Sequence, residues 1–386
     1  MRLMFDAVEL TPDSGKSLGI YRYAMGLVTE MARQLSVGDQ LLLVCNGDNE
    51  KDFAEAAGLG GVTLMRIVPN MPGHLWRQAW MRGVCALWAR QHGVDAYLSP
   101  KGFVPRRLLW PGRVPRVTVV HDLIPFWYFR RKPGYFGRLE TWLVSSAFRN
   151  TFAQAEHVVA ISAQTHRDLL DEGMEAGRVS VVLNGVDEQG GATAARQDLP
   201  AALGGRPFIF AMASRLPHKN LDGVLRAYEA YRGLAGDQAL PLALCGASDV
   251  TQPGVVALGR VSETELQALY AHADLFLFLS LTEGFGYPPM EALRTGTPVV
   301  CSDIGVLEEV AGALATYVHP ERPQDAARAM NKVLSEGLTS QQRAALKQAA
   351  QARIASHLSW SGCAEGVWRV IRHEVARGQQ PMGVRA

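Results

Sequence analysis

Cysteine is scarce and unpatterned: Cys45, Cys85, Cys245, Cys301 and Cys363 are the five in 386 residues, and no two stand as C-x-x-C. That excludes a disulfide framework, and an odd, scattered set points to a reducing compartment. Cys45, Cys245 and Cys301 lie in or beside apolar runs, where a thiol serves as a small buried hydrophobe. No apolar run approaches the roughly 18–20 residues that span a bilayer. Residues 1–6 read as a strand and not as a signal peptide, so a cytoplasmic location is expected. Net charge is nearly absent too, with 39 Lys/Arg against 37 Asp/Glu, which removes any global bias towards a polyanion. Two nucleotide fingerprints are missing. Ser14-Gly-Lys-Ser17 resembles the end of a phosphate loop, but its first glycine would fall at Leu10. Gly284 and Gly286 begin no G-x-G-x-x-G because position 289 is proline. There is also no D-x-D pair anywhere, the usual cue for a metal-bridged nucleotide, and no internal repeat is apparent.

What is present is an alternation of short apolar runs and helical patterns over a length that suits two domains. Strands are expected at 3–5, 41–44, 62–65, 97–98, 117–120, 158–161 and 179–183, joined by segments long enough for crossover helices. The alternation repeats at 208–210, 240–244, 255–258, 275–279, 299–300 and 315–318. The reading is α/β, two Rossmann-like doubly wound domains. The first is expected at 1–187, a small polar linker at 188–205, the second at 206–359, and a helical C-terminal segment at 360–386.

Residues 279–301, L-S-L-T-E-G-F-G-Y-P-P-M-E-A-L-R-T-G-T-P-V-V-C, follow one of the buried strands. Glu283-Gly-Phe-Gly286 makes a glycine turn, and Pro288-Pro289 opens a helix that Gly296 ends. A strand, a glycine turn and a helix start bring free N–H groups to one point, a ready anion site. Glu283 on the turn and Glu291 in the first turn of the helix that the proline pair opens can flank that anion, although Glu291 could equally favour the positive end of its own helix. A second cluster, Ser214-Arg-Leu-Pro-His-Lys-Asn220, stands just past the first strand of the second half. Arg215 offers a five-donor fork and Lys219 a mobile point charge, a pair suited to a diphosphate. Solvated surface charge is the other reading of the same residues. Asn220 suits an N-cap.

The order E-G-F-G-x-P-x-x-E followed by G-T-P-V-V closely resembles the signature of family 4 retaining glycosyltransferases, which have the GT-B fold. The S-R-x-x-x-K-N string at 214–220 is similar to that family's donor loop. The resemblance implies that Arg215 and Lys219 grip the donor pyrophosphate, with Ser214 beside them. It implies further that Glu291 takes the ribose hydroxyls and that Glu283 faces the sugar, near Gly284, the N–H groups of Phe285 and Gly286, and Tyr287. The 258–274 segment is similar to the family's G-x-V…E-L…L-Y…A-D run, whose backbone near Val261 faces the base. In the first half, residues 17–23 resemble the G-G-x-x-R-Y loop, with Gly19 and Arg22 as contacts and Leu18 as a departure where a second glycine is common. His121-Asp122 matches the family's H-D pair, whose histidine reaches the transferred sugar, while a histidine at a strand end is also commonly structural. The C-terminal helix of this fold returns to the first domain.

Two stretches bear on the acceptor. Trp76, Trp80 and Trp88 lie at helical spacing beside Arg77, Arg82 and Arg90, and residues 126–132 interleave aromatics with cations. Between 101 and 149 ten Lys/Arg stand against Asp122 and Glu140, a local balance of +8. These are either core stripes with a solvated face or a peripheral contact with an anionic membrane; nucleic acid is the weaker reading, because no base-stacking fold accompanies it. The expected activity is retaining transfer of a hexose from a nucleotide-sugar to a lipid-linked or growing surface glycan at the inner face of the membrane. GDP-mannose is the donor favoured by the frequency of E-G-F-G-x-P in mannosyltransferases, a UDP-hexose the alternative. No cofactor and no metal are expected, and cationic side chains would neutralise the leaving group. A catalytically silent glycan- or nucleotide-binding protein of the same fold is the rival class, and a nicotinamide-dependent sugar oxidoreductase or epimerase comes third.

Overall fold

The computed structural model describes residues 1–11, 18–66, 79–106, 109–187 and 195–379. Thirteen strands occur among them, one at each of the expected apolar runs, and every pairing is parallel. The chain divides into two units, one of residues 1–185 and 358–386, the other of 186–357.

In the first unit β1 (Arg2–Asp6), β2 (Gln40–Cys45), β3 (Val62–Arg66), β4 (Ala96–Ser99), β5 (Arg116–Val120), β6 (His157–Ala160) and β7 (Val179–Val181) lie in the order β3-β2-β1-β4-β5-β6-β7. The central strands are buried on both faces, which is why they read as unbroken apolar runs. One core holds Met4, Leu42, Val44, Tyr97 and Trp80; another gathers Val120, Leu123, Phe148, Val158 and Leu169. Arg116 is buried within β5 because Glu156 takes its guanidinium through two hydrogen bonds of 3.0 and 2.8 Å.

The helix Trp360–Gln379 is amphipathic and packs on the helix Leu18–Arg33 of the same unit. Trp368 donates its indole N–H to the Met31 carbonyl at 3.2 Å, and Glu374 lies 3.2 Å from His157 of β6. Trp360 fills the space beside Gly26 and Gly185, where an added Cβ would fall at 2.5 and 2.1 Å from its ring. Glycine is therefore a packing requirement at both positions.

In the second unit β8 (Ile209–Met212), β9 (Leu242–Cys245), β10 (Val255–Gly259), β11 (Leu275–Phe278), β12 (Val299–Ser302) and β13 (Thr316–Val318) run in the order β10-β9-β8-β11-β12-β13. Ile209, Leu244, Leu275, Leu277 and Val300 pack with Val224, Tyr228 and Met330 of the flanking helices. Helix starts follow local chemistry: Ser262 and Glu265 form a capping box for the helix Glu263–His272. The expected linker, 188–205, is described from residue 195 onward, and there it forms two short 3-10 turns, Arg196–Asp198 and Ala201–Leu203, within the second unit.

All five cysteines are buried and free. Burial pushes the Cys45, Cys245 and Cys363 thiols up to about 12, so each is an inert apolar group. No described helix is long and apolar enough to cross a membrane.

Candidate active site

Strand order in each sheet reverses once, between β1 and β4 and between β8 and β11. Open parallel sheets bind their ligands in the crevice beyond the carboxyl ends of the strands at such a reversal. In the second unit the loops leaving β8 and β11 are residues 213–220 and 279–286, the two stretches that the sequence singles out.

These loops meet directly. Lys219 donates from Nζ to Glu283 Oε1 at 2.6 Å, and its ammonium lies 5.8 Å from the centre of the Phe278 ring. Leu281 N–H donates to the His218 carbonyl at 2.7 Å. Asn220 occupies the left-handed region at φ 53°, and its amide donates to the Leu279 and Pro320 carbonyls at 2.9 and 3.0 Å. Asn220 stands at the cap position of the helix Leu221–Ala235, yet its side chain makes no capping bond. It is a rivet between loops, which corrects its reading as a simple N-cap. Gly223 is glycine because Asn220 lies over it, at 2.4 Å from an added Cβ.

His218 is buried, and burial together with the neighbouring Lys219 cation lowers its pKa to about 4. Its imidazole is neutral at pH 7. Arg215 is exposed and bonds Asp249 Oδ2 through Nε at 2.9 Å. Ser214 is half-buried, and the 3.5 Å contact from Leu216 N–H to its hydroxyl is at the limit for a hydrogen bond.

The glycine turn is tightly determined. Gly284, Phe285 and Gly286 are buried, and Gly286 has φ +93°, with an added Cβ only 2.2 Å from Leu307. Tyr287 begins the following helix, with its ring 4.9 Å from that of Phe285. The helix runs Tyr287–Leu293, seven residues with no acidic group in its first turn. Glu291 therefore sits in the second turn, not the first as the proline pair had implied, and it is buried. A dipole effect falls off within the first turn, so helix-terminus preference does not account for Glu291. Val261 lies just after β10, the edge strand, two strands from β8.

In the first unit His121 follows β5. Its Nε2 is 2.8 Å from the Pro100 carbonyl at the end of neighbouring β4. A carbonyl only accepts, so Nε2 carries the proton and Nδ1 is left with its lone pair. Burial lowers the His121 pKa to about 4, only partly opposed by that hydrogen bond. The ring packs edge-on to Tyr23 at 4.8 Å. Asp122 Oδ1 accepts from Ile124 N–H at 3.0 Å and so opens the helix Ile124–Arg131. Gly19 and Arg22 are exposed on the helix Leu18–Arg33, and an added Cβ at Gly19 would meet nothing within 4 Å. Residues 12–17, including Ser14 and Ser17, lie outside the described residues, as do Trp76 and Arg77.

Sequence reasoning missed a buried cluster at the reversal of the first sheet. Asp6, the last residue of β1, accepts from Trp80 Nε1 at 2.8 Å, Tyr97 OH at 2.7 Å and Val8 N–H at 3.0 Å. Burial raises its pKa to about 6 despite those donors. An aspartate ending an apolar strand is the signal that could have found it. Trp80 is accordingly a core residue, and half-buried Trp88 packs on it at 6.1 Å between ring centres. Tyr128 is buried too, and Phe126 packs on Phe148. Asp249, the partner of Arg215, was also missed; it follows β9, next to β8.

Two Rossmann-like units of parallel sheet in one chain, with the cationic and carboxylate pair at the reversal of the second, define a GT-B protein. The family model for glycosyl transferases group 1 matches residues 197–353, and that for Glycosyltransferase Family 4 matches residues 19–189. The chain is 24% identical over 322 residues to the O-antigen chain mannosyltransferase RfbU of Salmonella typhimurium, taking in 80% of this chain and 85% of that one. It is 28% identical over 280 residues to the serotype-specific mannosyltransferase WbdA of Escherichia coli, covering 66% of this chain but 34% of the relative, so it spans about a third of WbdA's length. Among solved structures, Anabaena HepE in complex with UDP and glucose superposes with TM-score 0.68 at 19% identity, over 97% of this chain and 100% of that one. The chain belongs with the family 4-like GT-B glycosyltransferases.

Proposed function

We propose that this chain moves a hexose, specifically mannose from GDP-mannose, to a hydroxyl of a lipid-linked or growing surface glycan at the inner face of a membrane, with retention at the anomeric carbon and without a metal. The observation that carries the donor part is the Lys219–Glu283 pair where the loops after β8 and β11 meet. The names of the mannosyltransferase relatives support the sugar and the type of acceptor.

A diphosphate entering this crevice would compete with Glu283 for the Lys219 ammonium and with Asp249 for the Arg215 fork. The Arg215–Asp249 pair is on the surface, where such pairs hold weakly, so the exchange is easy. Glu283, released from Lys219, becomes an acceptor for sugar hydroxyls, and Glu291 accepts from the ribose hydroxyls. In the reaction the bond from the anomeric carbon to the diphosphate breaks and its electron pair leaves with the phosphate. Lys219 and Arg215 stabilise that developing charge, an electrostatic contribution of about 3–4 kcal/mol where one such group has been removed elsewhere. The acceptor oxygen bonds to the anomeric carbon on the same face, and its proton passes to the leaving phosphate oxygen. His121 is neutral at pH 7, so its role is to hold a hydroxyl by hydrogen bonding, not to supply a proton.

The test is a thermal-shift panel of GDP, UDP, ADP, dTDP and NAD(H), followed by transfer from the preferred nucleotide-mannose with and without EDTA. Selective stabilisation by GDP and EDTA-resistant transfer with an α-configured product support the reading. UDP selectivity moves the donor to a UDP-hexose, and binding without turnover or hydrolysis leaves the silent binding protein.

A further inference from the structure

Of the cations between 101 and 149, several already have partners. Arg116 is held by Glu156, Lys101 donates to the Glu9 carbonyl at 2.8 Å, and Arg130 pairs with Glu172. Lys132, Arg138 and Arg149 are exposed, and among the described residues none of them is ion-paired. Lys132 follows the preceding helix, Arg138 opens the helix Arg138–Gln154, and Arg149 stands about three turns further along it.

That helix is anchored from Val144 onward. Phe148 packs on Phe103 and Phe126 at 5.4 and 5.3 Å, and Thr151 donates to the Gly102 carbonyl at 3.2 Å. Its first half turns large apolar groups to solvent: Leu139 is 70% exposed and Trp142 58%, with Leu143 beside them. Positions 139, 142 and 143 share one helix face. Arg138, Trp142 and Arg149 follow one another along a stripe and flank a shallow open groove of about 380 Å³.

We propose that this face, Leu139, Trp142 and Leu143 with Arg138 and Arg149 along its edge and Lys132 preceding the helix, docks the protein on an anionic phospholipid bilayer. The charge pattern selects the partner. Cations lie along the edge of an aliphatic and aromatic face, with Glu140 the one acidic residue between 130 and 149. An anionic interface takes both parts: lipid phosphates pair with the arginines, Trp142 sits at headgroup level, and the leucines enter the acyl boundary. A nucleic acid would use the cations and Trp142 but offers no hydrocarbon to Leu139 and Leu143. The inference deepens the proposed function by naming the surface on which a lipid-linked acceptor is met, and for that purpose it rests on that reading.

The full chain is sedimented with vesicles of phosphatidylcholine alone and of phosphatidylcholine with about a third phosphatidylglycerol, since interfacial attraction scales with anionic lipid. Wild type is expected to pellet with the anionic vesicles only, and less so at high salt. Arg138→Gln with Arg149→Gln should weaken partitioning by more than tenfold, at roughly fivefold for each cation removed. Leu139→Ser with Trp142→Ser should abolish it. Nucleotide-induced thermal shifts are measured on the same variants; unchanged shifts show that they fold and separate this inference from the donor assignment. Wild type remaining in the supernatant, or variants pelleting like wild type, overturns the proposal. So does a self-association or an oligonucleotide complex that the same substitutions remove while vesicle binding is absent.

Discussion

Lys219 and Glu283 are 64 residues apart in the chain, and their side chains lie 2.6 Å apart. The pair is partly shielded, with Glu283 10% and Lys219 27% exposed. Neither loop alone makes the site. Each supplies one charge, and the adjacency of β8 and β11 brings the charges together.

Lys219→Ala should lower kcat/KM by about 10²–10³, the cost seen when a charge-stabilising donor is lost. Glu283→Gln should lower kcat more than it weakens nucleotide affinity, because Glu283 is assigned to the sugar. Steady-state kinetics with a nucleotide titration check both, and a Glu283→Gln enzyme with wild-type turnover would remove that assignment.

Asn220→Ala should cost about 2–3 kcal/mol in chemical denaturation. It loses two hydrogen bonds, at roughly 1 kcal/mol each, and places alanine at φ 53°, a further penalty of about 1 kcal/mol. Asn220→Gly, which keeps the backbone conformation, should recover only the second part. An Asn220→Gly variant as stable as wild type would show that the side-chain bridge contributes nothing.

Gly286→Ala should destabilise by about 2–4 kcal/mol, combining a left-handed backbone with overpacking against Leu307. Gly19→Ala, by contrast, should be neutral or slightly stabilising, since its helix position is open. Thermal unfolding of the two variants side by side is the measurement.

Acid should weaken the fold before ordinary carboxylates titrate. The folded pKa values of His121 and His218 are lowered to about 4 from 6.5, so their stabilisation is present above pH 6.5 and lost as pH falls towards 4. Asp6, raised to about 6, works in the opposite direction: its contribution is present below pH 3.8 and lost as pH rises through 6. The net loss between pH 7 and pH 5 should be about 2 kcal/mol. His121→Gln, which keeps a donor for the Pro100 carbonyl, should flatten the denaturation midpoint against pH; an unchanged slope would mean that His121 does not carry it.

Thirteen strands and their class were legible in the sequence because strands buried on both faces must be short apolar runs, whatever surrounds them. The glycine turn at 283–286 was legible for a similar reason: φ +93° beside Leu307 strains any side chain, so the residue type records the local geometry. The S-R-x-x-x-K-N string named the cations of the site but not their partners. Glu283 and Asp249 reach Lys219 and Arg215 only through strand order, and order among parallel strands leaves no mark on any one of them.

Residue type and short-range spacing determined the elements, the turns and the chemistry available to each loop. Tertiary structure alone decided which side chains are spent on the fold and which remain at the surface. Trp80 and Leu139 look alike as apolar residues beside cations, yet Trp80 is enclosed with Asp6 and Tyr97 while Leu139 is left in water. Burial depends on neighbours distant in sequence. It is a property of the packed sheet and its covering helices, not of the residue that is buried.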